Sequence, residues 1–98
     1  MSYNVLRANN AMETIIDDNC GISKFYAIAT TLCDDLHVTF LDQSDEGDSI
    51  AWDFVYQNTS LTLHFDVYGG VSIIQNEEKN GRFTVGKELG EWLHGRAF

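Results

Sequence analysis

The chain has 98 residues, 15 of them acidic and six basic, which gives a formal net charge of −9 and a pI near 4.4. A hydrophobic fraction of 44% predicts a folded protein, and the length suits a single domain, 1–98, with one modest core. The negative charge disfavours nucleic acid and anionic membranes as partners and favours a basic protein. An acidic surface also serves solubility alone, so charge by itself assigns no function.

Location and cofactors follow from what the sequence lacks. The beginning, MSYNVLRANN, has no charged segment followed by an apolar run, and no apolar stretch approaches the roughly 20 residues that span a bilayer. We therefore expect a cytoplasmic protein without membrane association. Cys20 and Cys33 lack CxxC spacing and are expected to be free thiols in place of a disulfide. The three scattered histidines have no ligand spacing, so neither a metal nor a cofactor is expected.

Two helices are predicted before residue 37. Asn10 and Glu13 have the spacing of a capping box, and Gly21 suits a left-handed helix end, which together predict a helix over 11–19. The next segment, 22–36, is compatible with a buried strand, but its length and apolar stripe favour a helix. That stripe consists of Ile22, Phe25, Ala29, Leu32, Cys33 and Leu36.

After residue 36 the apolar period changes to two, which predicts four antiparallel strands. Their sequences are LHVTFLD, SIAWDFVYQ, SLTLHFDVY and VSIIQ. The expected two-residue turns are Asn58-Thr59 and Gly69-Gly70, since such turns favour asparagine and glycine. The first and last of these strands are the expected sheet edges, where a second copy of the chain is a possible partner.

A last helix is predicted after the polar turn at Asn80-Gly81. Thr84 is its expected cap, and two glycines, Gly86 and Gly90, weaken its helix propensity. Its stripe contains Val85, Leu89, Trp92 and Leu93, and we expect Trp92, like Trp52, to lie in the core. The predicted fold is therefore α+β: a four-stranded antiparallel meander with N-terminal helices and a C-terminal helix packed on one face.

The segment 42–48, DQSDEGD, raises the question of a calcium loop. Counting from Asp42, oxygen side chains and a glycine occupy the early positions of an EF-hand loop, but Asp53 stands where a bidentate glutamate is needed. Asp53 also lies within a predicted strand, where an EF-hand requires a helix. The sequence therefore favours a hairpin loop. Its acidic residues are candidates for a binding surface: Asp42, Asp45, Glu46 and Asp48.

A second constellation follows from pairing the middle strands through the Asn58-Thr59 turn. In that register Asp53 faces His64 on the polar face of the sheet, with Asp66 and Tyr68 nearby. The pair is compatible with an acid–base site, but an ordinary cross-strand charge pair is the favoured interpretation, because neither a cleft nor a nucleophile motif is visible. We include these four residues in the candidate binding face.

The stretch WDFVYQNTSLTLHFDVYGGVSII, residues 52–74, resembles the meander of small uncharacterised bacterial proteins. Such families carry a W-x-F strand, an L-x-L-x-F strand and a glycine before a short apolar strand. They are described as domains of unknown function, so the resemblance implies a fold and no activity.

Three classes of function remain open. The favoured class is a non-enzymatic protein–protein interaction module, in one version an inhibitor or immunity-type protein for a basic enzyme. The second class is a small enzyme or ligand binder on the polar sheet face, which predicts a concave pocket there. The third is a structural homo-oligomer joined through a sheet edge.

Overall fold

The structure, a computed structural model, describes residues 3–7, 10–96 and 98. Eight elements follow one another along the described chain. They are β1 (Tyr3–Leu6), β2 (Met12–Asp17), α1 (Ile22–Leu36), β3 (Phe40–Glu46), β4 (Ser49–Tyr56), β5 (Thr59–Asp66), β6 (Gly70–Gln75) and α2 (Thr84–His94).

The described strands form one antiparallel sheet of six strands in the order β1-β2-β6-β5-β4-β3. The α+β class is therefore confirmed, whereas the expectation of four strands is wrong. β6 lies at the centre of the sheet, between β2 and β5, so the expected edge at VSIIQ is also wrong. The true edges are β1 and β3.

Both helices pack on one face of the sheet, as predicted. α1 lies over β5, and α2 lies over β2 and β6. Phe25, Ile28 and Leu32 of α1 and Leu89 and Leu93 of α2 contact one continuous cluster of buried sheet residues. The sheet contributes Ile50, Phe54, Leu61, Leu63, Phe65, Val71 and Ile73 to that cluster.

The predicted helix over 11–19 is wrong, because residues 12–17 form β2. Thr14, Ile15 and Ile16 are β-branched and favour a strand, and β2 pairs on both sides, with β1 and with β6. A strand buried on both faces loses the polar–apolar alternation that identifies strands in sequence. Gly21 does not end a helix; with φ −91° and ψ 175° it precedes the first turn of α1.

α1 confirms the prediction of a helix over 22–36, although its buried stripe differs from the expected one. Ile28 is buried, whereas Ile22 and Cys33 are exposed. The chain leaves the helix at His37, which adopts the left-handed conformation with φ 56°. The first predicted strand, LHVTFLD, therefore starts later than expected: it corresponds to β3, which begins at Phe40 and not at Leu36.

The turn between β4 and β5 is Gln57-Asn58 and not Asn58-Thr59. Both of its residues have positive φ, 52° and 60°, as a type I′ turn requires. A β-branched residue disfavours that conformation, so Thr59 begins β5 and is buried there. The change moves the register by two residues, which keeps each side chain on its expected face but changes its partner.

The turn between β5 and β6 also differs from the prediction. It spans residues 67–69, and Gly70 is the first residue of β6, with φ 76°. A Cβ atom at Gly70 would lie 1.9 Å from the carbonyl oxygen of Asp17, so only glycine fits against β2. The Asn80-Gly81 turn is confirmed: both residues have positive φ, and Lys79 and Arg82 exchange backbone hydrogen bonds across it.

Two glycines of α2 allow the helix to lie close to the sheet. Gly86 donates its N–H to the side-chain oxygen of buried Gln75 at 2.9 Å. A Cβ atom at Gly90 would lie 2.5 Å from Thr14 Cγ2. These two glycines therefore allow α2 to pack closely against the sheet. From the sequence alone they appear only as residues that weaken the helix. Phe83 precedes the helix and Thr84 is its first residue, so the expected Thr84 cap is wrong.

The two tryptophans have different environments. Trp52 is half-buried between the rings of Phe25 and Phe40, with centroid distances of 5.0 and 5.2 Å, as expected of a core residue. Trp92 is partly exposed, and the Arg96 guanidinium lies 4.5 Å from its ring centroid. Neither described helix combines the length and apolar character needed to cross a bilayer.

Candidate functional site

The face of the sheet opposite the helices carries a polar network at its centre. Glu13 on β2 accepts hydrogen bonds from Arg7 at 2.9 Å and from the Ser72 hydroxyl at 2.6 Å. His64 Nδ1 lies 4.0 Å from the same Glu13 carboxylate. Strand pairing brings these groups together, since Ser72 pairs with Ile15 on one side and with His64 on the other.

Sequence reasoning missed Arg7, Glu13 and Ser72. The sequence predicts a helix around Glu13 and places no residue of 1–19 on the sheet. The β-branched run from Thr14 to Ile16 is the signal that favours a strand. Once β2 is a strand beside β6, its register with Ser72 places Glu13 on the polar face.

A groove lies beside this network, and we call it the open-face groove. It has a volume of about 640 Å³ and is lined by Val5, Arg7, Glu13, His64, Asp66 and Tyr68, among others. Asp66 accepts hydrogen bonds from the backbone N–H groups of Tyr68 and Gly69 at 2.7 and 3.2 Å, which fixes its carboxylate at the end of β5. The side chain of Tyr68 is 85% exposed at the rim.

The His64 imidazole is a partly buried polar group of the groove. Within residues 3–7, 10–96 and 98, neither ring nitrogen has a hydrogen-bond partner at ordinary distance. Burial lowers the pKa of His64 below its usual 6.5, and this outweighs the opposing attraction of Glu13 and Asp66 for the protonated ring. The ring is therefore neutral at pH 7, with one nitrogen that accepts and one that donates a hydrogen bond.

The expected pairing of Asp53 with His64 is wrong. In the observed register Asp53 lies opposite Thr62, and His64 lies opposite Ala51. Asp53 accepts a hydrogen bond of 2.6 Å from the Thr62 hydroxyl. The acid–base dyad considered from the sequence therefore does not form, because the turn begins one residue earlier than expected.

The segment DQSDEGD belongs to a hairpin, as predicted, but most of it is not the loop: residues 42–46 lie in β3, and the turn consists of Gly47-Asp48 alone. We call its four acidic residues, Asp42, Asp45, Glu46 and Asp48, the acidic hairpin. Three of them lie on β3, which is exposed from Leu41 to Glu46. No lysine or arginine among the described residues forms an ion pair with them. Nor does any group of three or more metal-ligating side chains in the described chain have the arrangement of a metal site.

Both faces of β3 carry carboxylates. Asp42 lies directly opposite Asp53, so two carboxylates share the open face at this position. Asp45 lies opposite Ile50, on the side of the sheet that carries the helices. The cations that do form ion pairs with carboxylates lie elsewhere: Arg7 pairs with Glu13, Lys24 with Asp17 and Arg96 with Asp35.

Comparison with known proteins gives one match. The model of a family described as a protein of unknown function, DUF3630, matches residues 5–89. The chain belongs to the DUF3630 family. No curated protein matches it, and no solved structure does. The resemblance to proteins of unknown function is thus confirmed, and the match includes the open-face groove and the acidic hairpin.

This DUF3630 chain separates the eight predicted site residues into two groups. His64, Asp66 and Tyr68 line the open-face groove. The four residues of the acidic hairpin lie at the β3 edge, on the far side of the sheet from β1. Asp53 belongs with the hairpin, because it pairs with Asp42 and does not line the groove.

Proposed function

We propose that the chain is a non-enzymatic, cytoplasmic protein–protein interaction module whose acidic hairpin binds a basic protein. The observation that supports this proposal is the exposed edge strand β3, which carries three of the four carboxylates of the hairpin. An edge strand presents unpaired backbone groups, and its negative charge attracts a positively charged partner. One concrete version is an inhibitor of a basic enzyme, as immunity-type proteins are.

Charges on an edge strand also prevent the sheets of different molecules from associating. The experiment must therefore distinguish binding of a partner by the acidic hairpin from protection of the β3 edge against aggregation. Tagged protein is incubated with lysate of the source organism at low salt and eluted with a salt gradient. The wild type is compared with a hairpin-neutralised variant, Asp45→Asn/Glu46→Gln/Asp48→Asn. The matched control, Asp34→Asn/Glu88→Gln/Glu91→Gln, removes the same charge from exposed helix positions.

We expect one basic protein to be recovered in near-equal amount by the wild type and by the control, and to be lost with the hairpin variant. Equal recovery by all three proteins would contradict the proposal. Recovery of the chain alone, as a defined dimer, would favour the homo-oligomer instead.

A ligand binder is the second candidate, and the open-face groove is the observation that favours it. Its volume of about 640 Å³ lies within the roughly 300–1,000 Å³ of small-molecule sites. Three carboxylates and one arginine line the groove, an excess of negative charge that suits a small organic cation, and His64 offers a free nitrogen. Agmatine and ethanolamine are titrated while the His64 ring signals are followed by NMR. Binding predicts shifts that Tyr68→Ala weakens; unchanged signals at millimolar ligand would contradict this candidate.

A further inference from the structure

An apolar cavity lies directly beside the acidic hairpin. It has a volume of about 380 Å³ and opens between the start of α1, the β3–β4 turn and the end of β5. Its lining includes Cys20, Ile22, Ile50, Phe65 and Val67, with Asp45 at its margin. It is thus separate from the open-face groove.

The mouth of this cavity exposes apolar side chains that the fold leaves uncovered. Ile50 and Phe65 are buried in the core, but Ile22 is 45% exposed and Val67 is 52% exposed. Gly21 contributes no side chain to cover the opening, and a Cβ atom there would meet nothing within 4 Å. Exposed apolar side chains around a concavity with a polar rim are typical of an interaction site.

The charge around the cavity indicates which partner it suits. Asp45 lines it, and Asp48 lies in the adjacent turn of the same hairpin, whereas Glu46 lies on the opposite face of β3. The nearest cation along α1, Lys24, is held by Asp17 at 2.8 Å. A partner residue that enters the cavity therefore has carboxylates beside it, which favour lysine or arginine at the neighbouring positions of the partner.

We propose that the apolar cavity receives one apolar side chain of a basic partner, flanked in the partner by lysine or arginine. This inference rests on the proposed interaction function and names the partner's contact residue. Binding energy at protein interfaces concentrates in such anchors, where a side chain fills a pocket and surrounding contacts exclude water. The acidic hairpin attracts the basic partner electrostatically, and the cavity receives the apolar anchor side chain of that partner.

The two cysteines provide a direct test with an internal reference. Cys20 lines the cavity, whereas Cys33 is exposed on α1. The rate of iodoacetamide labelling at each thiol is measured by mass spectrometry in the full chain, without and with the probe peptides. These are acetyl-KKLKK-amide, acetyl-KKSKK-amide and acetyl-EELEE-amide. The KKLKK peptide should slow labelling of Cys20 about threefold at twice its dissociation constant and leave Cys33 unchanged.

The variants identify the cavity as the cause of protection. Ile22→Ser/Val67→Ser removes apolar surface at the mouth and should abolish protection of Cys20 by KKLKK. Val55→Ser is the matched control, since Val55 is 50% exposed on β4 and does not line the cavity. It should keep protection at the wild-type level.

Equal protection of Cys20 by KKLKK and KKSKK, or by KKLKK and EELEE, would overturn the inference. So would no protection by any peptide. NMR of backbone amides separates this failure from failure of the proposed function. Shifts on β3 with KKSKK, without protection of Cys20 by KKLKK, would leave the hairpin as a basic-partner surface and remove only the anchor.

Discussion

Gly90 illustrates how a single residue sets the distance between α2 and the sheet. Alanine is the better helix former by about 1 kcal/mol, so propensity alone predicts that Gly90→Ala stabilises the protein. The Cβ atom would lie 2.5 Å from Thr14 Cγ2, however, so we expect a loss of about 1–3 kcal/mol in the free energy of unfolding. Urea denaturation of the variant measures this change.

A second substitution shows whether the close contact is the cause. Thr14→Ser removes the methyl group that the alanine would meet but keeps the hydroxyl that donates to Asn4. The double variant should therefore lose less stability than the sum of the two single variants. Simple additivity, or a stabilising Gly90→Ala, would contradict the close packing of α2 on β2.

His64 is expected to make stability depend on pH below about 6.5. Burial lowers its pKa in the folded protein, so the unfolded chain binds more protons in this range. The free energy of unfolding should therefore be unaffected above the unfolded pKa and fall as pH decreases through 6.5 toward the folded pKa. The charged groups around the ring are Glu13, Arg7 and Asp66, and all three are retained in the variant His64→Gln. This variant should therefore lose only the pH-dependent part of the free energy of unfolding that His64 contributes.

Two measurements check the prediction for His64. NMR titration of the ring should give a midpoint below 6.5, and the difference in stability between His64→Gln and wild type should shift in favour of the variant as pH falls from 7.5 to 5.5. A midpoint above 6.5, with a difference in stability that shifts in favour of wild type as pH falls, would show that attraction by Glu13 and Asp66 outweighs burial.

At the scale of elements, the β3–β4 hairpin holds like charges opposite one another. Asp42 faces Asp53, and such cross-strand pairs destabilise a sheet. Asp42→Asn should therefore raise the free energy of unfolding by a few tenths of a kcal/mol. Asp45→Asn is the matched control on the same strand, because Asp45 faces Ile50, and it should change stability less. Equal effects of the two substitutions in urea denaturation would contradict a local repulsion.

The sequence predicted those elements whose local signals agree with their surroundings. α1 has both the length and the stripe of a helix, and the hairpins retain the expected faces because a two-residue shift preserves side-chain alternation. The positive φ of Gln57 decides the turn position, but glutamine carries no strong turn signal. β2 is a strand because two neighbours pair with it, and this cause lies outside its own residues.

Only one part of the candidate site could be predicted from the sequence: the residues whose shared face follows from the alternation of side chains along neighbouring strands. His64, Asp66 and Tyr68 were expected near one another and do line one groove. Arg7 and Glu13 join them only through the pairing of β2 with β6, a contact between residues about 60 positions apart, such as Glu13 and Ser72. The apolar cavity was not foreseen, since Ile22 reads as a core residue in a helical stripe.

On the scale of the whole molecule, the net charge of −9 is distributed unevenly. No lysine or arginine occurs between Lys24 and Lys79, and the fold places part of this acidic interval along the free edge β3. A basic partner that approaches this edge is attracted before contact, so charge should act on the rate of association more than on dissociation.

The most direct test is therefore the association rate constant with the recovered partner, measured by stopped flow as a function of ionic strength. We predict that the hairpin-neutralised variant associates roughly tenfold more slowly than wild type at low salt, and that the helix-neutralised control keeps the wild-type rate. The difference should shrink as salt screens the charges. Identical rates and salt dependence for the three proteins would show that the acidic hairpin does not recruit the partner.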